Sequence, residues 1–238
     1  MKIAIGLEYC GAAYSGWQRQ KHSTSVQEHV ESALSNVADH EVQVQCAGRT
    51  DAGVHALQQV AHFETRSQRD MRSWVLGGNV HLPHDISVLW AQPADDDFHA
   101  RFSAISRTYC YIILNRTARP GLLHRRVTWE FRQIDEGLMQ EAAACLLGEH
   151  DFTSYRAINC QSGSPVRNVK RLEIRRQHDC IILEIEANAF LQHMVRNIAG
   201  VLMTIGMGEA PPAWSQQVLE ARDRTKGGVT APADGLYL

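Results

Sequence analysis

No stretch of this chain stays apolar over the roughly 18 residues that a membrane-spanning helix needs, so a helical integral membrane protein is excluded. The six cysteines, Cys10, Cys46, Cys110, Cys145, Cys160 and Cys180, form no C-x-x-C and keep no regular spacing. A disulfide framework and a zinc site are both unexpected, and reduced cytoplasmic thiols are the default. Twelve histidines are many for 238 residues, yet none falls into an H-E-x-x-H or similar ligand pattern, so no metal is expected. The N-terminus, Met1 to Glu8, has no long apolar core and is interrupted by Glu8, so it reads as a first strand and not as a signal peptide. No residue-by-residue internal repeat stands out. Charge of one sign is also missing: the net charge is only −2.

That near-neutral total hides an uneven distribution. Residues 1–100 carry seven Lys/Arg against twelve Asp/Glu, and residues 101–238 carry seventeen against fourteen. Six arginines (Arg101, Arg107, Arg116, Arg119, Arg125, Arg126) occupy 101–126 with no acid between them. A second basic cluster, Arg156 to Arg176, is broken only by Glu173. Interleaved with Phe98, Phe102, Tyr109, Tyr111 and Tyr155, these tracts fit a surface that binds phosphates and stacks bases on rings. A pair of solvated strand faces would give the same pattern.

The length suits one large domain or two small ones, and the 44% apolar fraction is enough for a proper core. Alternation at Ile3, Ile5, Leu7 and Tyr9 predicts a strand. Ser25-Val26-Gln27-Glu28 is a capping box opening a helix whose apolar residues follow the 3.6 period. Short strands are predicted at 42–46, 59–64 and 88–92, and Pro93 to Asp97 reads as a polar breaker. Beyond a boundary near residue 104 come strands at 108–114 and 126–131. A helix over 135–147 ends at Gly148, and a long hairpin over 166–176 and 180–187 turns at His178-Asp179. A buried helix near 191–205 and a short one opened by Pro212 follow. The fold class is α+β: two similar halves, residues 1–104 and 105–238, each a mostly antiparallel sheet with helices on one face.

The segment Cys46-Ala47-Gly48-Arg49-Thr50-Asp51-Ala52-Gly53-Val54-His55 carries the most chemistry. It sets one carboxylate, Asp51, in a short turn between two glycines, with a guanidinium two residues before it, a setting that favours the charged, nucleophilic form. Read alone, it is also ordinary turn chemistry.

Several separated motifs, in order, resemble the tRNA pseudouridine synthase A family: Gly16-Trp17-Gln18-Arg19-Gln20, Ser25 to Glu28, Gly48 to His55, Phe98 to Ala104, Arg107 to Tyr111, Asp151 to Ser154, Met194 to Ile198 and Gly235 to Leu238. The chain departs from the family in stopping at Leu238, where the family continues into a further strand. The resemblance implies an isomerase that converts uridine to pseudouridine in the anticodon stem-loop of tRNA (positions 38–40), with base flipping, in an active-site cleft between two halves. It implies Asp51 as nucleophile, at C6 of the base or C1′ of the sugar, and Arg196 as a cation beside it. Tyr109 would stack on the target uracil and offer its hydroxyl for proton transfer. Arg49 would fill the space left by the flipped base. Phe98, His99, Ala100, Arg101 and Phe102, with Gln161, Ser162, Gly163, Ser164 and Pro165, match segments that hold RNA; Arg69 is a further phosphate contact. No cofactor is implied, and a cytoplasmic homodimer is. His55 has no assigned role and is read as structural. The rivals are a non-catalytic RNA-binding module, and an Asp-nucleophile phosphate-ester hydrolase, which lacks the paired Asp-x-Asp that chemistry wants.

Overall fold

The computed structural model describes residues 1–238 and divides into two compact units, Met1–Ile105 with Tyr237–Leu238, and Ser106–Leu236.

The first unit is built on a four-stranded antiparallel sheet in the order β2-β3-β1-β4, with β1 Lys2–Tyr9, β2 Val44–Cys46, β3 Ala56–Glu64 and β4 Ile86–Ala94. Helix α1, Val26–Ala38, starts where the capping box places it, with the Ser25 hydroxyl accepting the Glu28 N–H at 3.4 Å. Ile3, Ile5 and Leu7 of β1 pack with Val30 and Leu34 of α1 in one core, and none of the five is exposed at all.

Two elements differ from expectation. Helix α2, Met71–His81, occupies a segment with no predicted element; its N-cap is Asp70, which accepts the Ser73 N–H at 2.6 Å. Strand β4 also runs through Pro93, which pairs with Ile3, instead of breaking before it. Because β4 is an edge strand, the amide hydrogen that proline lacks costs the sheet little.

The second unit holds a sheet in the order β10-β5-β9-β8-β7, with β6 paired parallel to β5. The sheet's strands are β5 Arg107–Asn115, β6 Thr128–Glu130, β7 Gly148–Asp151, β8 Val166–Gln177, β9 Cys180–Ala187 and β10 Leu236–Tyr237, of which Tyr237 is counted with the first unit; β7 lies where the sequence predicts no strand. The β8–β9 hairpin turns at His178-Asp179, with His178 at φ 53°. Ile181, Leu183 and Ile185 of β9 are fully buried, while Glu184 and Glu186 lie on the other face. Helix α3, Glu136–Ala143, gives way to a 3-10 turn at Ala144–Leu146, and Gly148 then takes φ 93°. Helices α4, Met194–Gly206, and α5, Trp214–Ala221, complete the unit. The architecture is the α+β arrangement read from the sequence, a mostly antiparallel sheet with packed helices in each unit. No helix is long and apolar enough to cross a membrane.

Candidate active site

Asp51 lies in the loop between β2 and β3, half-buried, in a turn closed by the Val54 N–H to its carbonyl at 3.1 Å. Gly53 stands at φ 80°, the left-handed value that the third position of such a turn demands. Little of the loop's rigidity comes from β2, which ends five residues earlier. The hold comes from Tyr9 to Trp17. The Trp17 N–H donates to the Thr50 carbonyl at 3.0 Å, the Tyr14 carbonyl accepts the Gly53 N–H at 3.2 Å, and the Gly11 N–H donates to His55 Nδ1 at 3.0 Å. Tyr9 and Thr50 share a hydroxyl hydrogen bond of 2.8 Å. The Gln59 side chain pairs with both backbone groups of Gly48, accepting its N–H at 3.3 Å and donating to its carbonyl at 2.5 Å.

The approach is close enough to require glycine. A Cβ on Gly11 would sit 1.9 Å from the Val54 carbonyl oxygen, and one on Gly16 2.6 Å from that of Thr50. This gives the sequence motifs physical content. Trp17, 1% exposed, is tied to α1 through Gln27, whose N–H donates to the Trp17 carbonyl. Arg19 reaches the buried Glu31 of α1 at 3.5 Å. Thus Gly16 to Gln20 and the first turns of α1 brace the Asp51 loop. Tyr14 is fixed in turn by donating to Asp85 at 2.5 Å, and burial followed by that carboxylate pushes its phenol well above the ordinary range.

His55 is 1% exposed and stacks on Tyr237 at 4.6 Å, with Nδ1 engaged by Gly11, which suits the structural reading. Arg49 is exposed on the same loop as Asp51. The sequence assigns Tyr9, Tyr14 and Gln59 no role in the site. Gln59 is fully buried in β3, a polar side chain whose burial the residue pattern alone does not show.

Residues 98–103 form a second cluster in this unit. Phe102 is 75% exposed, with its ring 4.3 Å from that of His99 and the Arg101 guanidinium 5.4 Å from its centre. His99 Nδ1 accepts the Arg101 and Phe102 N–H groups, and Phe98 and Ala100 face inward. Arg69 is on the surface by α1, where it pairs with Asp39 at 2.7 Å.

In the second unit Tyr109 and Tyr111 point to the same face of β5. Tyr111 is fully buried and bonds Thr128 at 2.6 Å and the Pro232 carbonyl at 2.9 Å, as a core residue would. Tyr109, 8% exposed, meets Phe190 edge-on at 5.0 Å. Arg196, half-buried on α4, donates through Nε to the Ala231 carbonyl at 2.8 Å, and its charge acts on Tyr111. The loop Gln161 to Pro165 folds around Arg167, which donates to Ser162 Oγ at 2.8 Å and the Ser164 carbonyl at 3.0 Å.

The basic tracts fare unequally. Glutamates of β9 and α3 offset most of the second: Arg171 and Arg175 meet Glu184, Lys170 meets Glu186, and Arg176 meets Glu136. In the first, Arg116 pairs with Asp179 at 3.5 Å and Arg107 donates to the Asn188 carbonyl, while Arg119, Arg125 and Arg126 stand exposed. The linear count of charges could not show this, because the acids come from β9, from α3 and from the β8–β9 turn.

Residues 6–103 and 142–238 match the family model described as tRNA pseudouridine synthase. Relatives named tRNA pseudouridine synthase A are similar over the full chain. That of Nitrosococcus oceani is 59% identical and covered over 92% of its length, that of Methylococcus capsulatus 56% over 88%, and those of Coxiella burnetii 54% over 91%. A chain of a solved Cbf5-Nop10-Gar1 complex matches 84% of this chain and 45% of its own length, at 11% identity and a TM-score of 0.35.

Proposed function

The chain belongs to the tRNA pseudouridine synthase A family, and on that premise we propose that Asp51 is the nucleophile with which it converts uridine to pseudouridine in the anticodon stem-loop of tRNA. The enzyme is an isomerase acting on tRNA. Its reaction breaks the N1–C1′ bond, turns the uracil, and forms a C5–C1′ bond; the proton leaving C5 is balanced by the one N1 gains. No electrons change hands, so the chemistry needs a nucleophile, a proton acceptor and a place to hold the freed base, and no cofactor is proposed.

The observation that carries the reading is the cradle around Asp51. Bonds from Tyr9, Gly11, Tyr14, Trp17 and Gln59 converge on residues 48–55, leaving the carboxylate half-buried on a rigid turn. Such pre-organisation is what an attack on C6 or C1′ requires, since a misplaced nucleophile forfeits most of the advantage of proximity. Arg196 supplies a cation to the reaction. Tyr109 is the platform for the uracil, with its hydroxyl serving proton transfer at C5. Flipping costs a few kcal/mol, and Arg49, exposed on the Asp51 loop, offsets it by occupying the space the base leaves. Residues 98–102 and 161–165 with Arg69 hold the stem-loop.

The protein acts in the cytoplasm as a homodimer. Large exposed apolar side chains between β5 and α3 favour a second copy there: Leu122 is 87% exposed, Phe131 60% and Trp129 of β6 40%. Mapping pseudouridine in unmodified tRNA after incubation with the protein tests the reading. Product confined to the anticodon stem-loop is expected; binding without product would make this an RNA-binding module instead.

A further inference from the structure

His62 of β3 belongs to none of the motifs above and has no place in the chemistry, yet it is the internal anchor of the turn at 98–103. Its side chain is 4% exposed, and its Nδ1 accepts the Ala100 N–H at 3.2 Å. The ring meets Phe98 edge-on at 5.8 Å and His99 at 4.8 Å. An amide N–H can only donate, so His62 Nδ1 must carry its lone pair, and the ring proton sits on Nε2, beside the backbone of Gln45. Burial, followed by the nearby His99 and Lys2, lowers its pKa and keeps the ring neutral, in keeping with that tautomer.

The turn repeats the device. His99 Nδ1 also acts as acceptor, for the Arg101 and Phe102 N–H groups at 3.2 and 3.4 Å, and the Ser103 hydroxyl accepts the His99 N–H at 3.0 Å. Two imidazoles in contact therefore fix the backbone of three consecutive residues, Ala100, Arg101 and Phe102. The outcome is a phenyl ring, 75% exposed, backed by an imidazole and flanked by a guanidinium. A ring so displayed suits stacking by an unpaired base, with the cation beside it for the adjoining phosphate.

We propose that His62 is a positioning residue for RNA binding: by accepting the Ala100 N–H and bracing His99, it fixes the turn that presents Phe102 and Arg101 to an unpaired nucleotide of the substrate. The proposal rests on the reading that residues 98–102 touch RNA. His62 itself meets no substrate, so its loss weakens binding without slowing the chemical step on saturating RNA.

The test uses the full-length protein and a synthetic anticodon stem-loop, with variants H62N, H62Q, H62F, F102A and H62Q/F102A. Asparagine puts an acceptor where Nδ1 stood, whereas glutamine puts its polar group near the Nε2 position and phenylalanine keeps only the ring. F102A is expected to weaken binding about tenfold, within the range of one stacked base. H62Q and H62F should weaken it by a similar factor, H62N should bind as wild type, and H62Q/F102A should bind no more weakly than F102A alone. Single-turnover rates at saturating RNA should be unchanged in all three His62 variants. Multiplying losses in the double variant, a loss in H62N equal to that in H62Q, or wild-type binding by both H62Q and H62F would overturn the proposal. Wild-type binding by F102A would overturn the reading beneath it as well, so the two failures are told apart.

Discussion

Replacing Gly11 by alanine tests whether the cradle positions Asp51. The added Cβ would lie 1.9 Å from the Val54 carbonyl oxygen and 2.5 Å from its carbon, against an ordinary contact of 3.4 Å or more. Both atoms are backbone, so no side-chain rotation relieves the clash and something must move by about 1.5 Å. Val54 closes the Asp51 turn through its N–H, so the displacement passes to the carboxylate. A misplacement of about 1 Å can cost on the order of 100-fold in rate, equivalent to roughly 2.7 kcal/mol in the barrier. The expected outcome is therefore a loss of about 100-fold in single-turnover pseudouridine formation at saturating tRNA, with tRNA affinity within a few-fold of wild type. Gly121→Ala, whose Cβ meets nothing within 4 Å, is the control and should match wild type. A thermal melt shows whether the variant is folded at the assay temperature. A folded Gly11→Ala protein with the wild-type rate would mean that the Gly11 turn yields instead of the loop, and the cradle argument would fail.

Tyr109→Phe keeps the ring and should bind RNA normally but form little product, whereas Tyr109→Leu should lose affinity as well, by up to the roughly 1–3 kcal/mol of one stacked base; rapid turnover in the Phe variant would remove the hydroxyl from the mechanism. Affinity should fall steeply with salt, and Arg101→Ala should reduce the slope by about one phosphate contact. Arg176→Ala should leave that slope unchanged, because Glu136 already offsets its charge. Glu130 is held below the ordinary glutamate value of 4.5, first by its hydrogen bonds from Arg132. A depressed folded-state pKa stabilises above the unfolded value and loses that contribution as pH falls through the folded one. Melting temperature should thus drop on acidification below about pH 4.5, and Glu130→Gln should flatten that limb.

The sequence yielded most where a pattern was local. The Ser25 capping box, the period-2 alternation of β9 and the His178-Asp179 turn each announce themselves within a few residues, and each stands as read. Helix α2 escaped because Gly77 and Gly78 lower its propensity. Those glycines serve tertiary packing: a Cβ on Gly77 would come within 2.9 Å of Val37 on α1. Of the site, the carboxylate and its turn were legible. Its supports were not: Tyr9 and Tyr14 meet the loop only across long sequence separations, and Gln59 meets it only because β3 folds back beside Gly48. The pairing of Arg171 and Arg175 with Glu184 was hidden for the same reason, since strand register alone brings them together.

The central claim is that Asp51 is the nucleophile, and Asp51→Asn tests it most directly. The amide keeps the size and hydrogen-bonding shape of the carboxylate and removes its charge, so the cradle and the RNA surface should survive. Pseudouridine in the anticodon stem-loop, assayed in single turnover with excess enzyme, should be undetectable while tRNA affinity stays near wild type. Appreciable product from a preparation verified by mass to retain the amide would contradict the account and leave Asp51 as an ordinary turn residue.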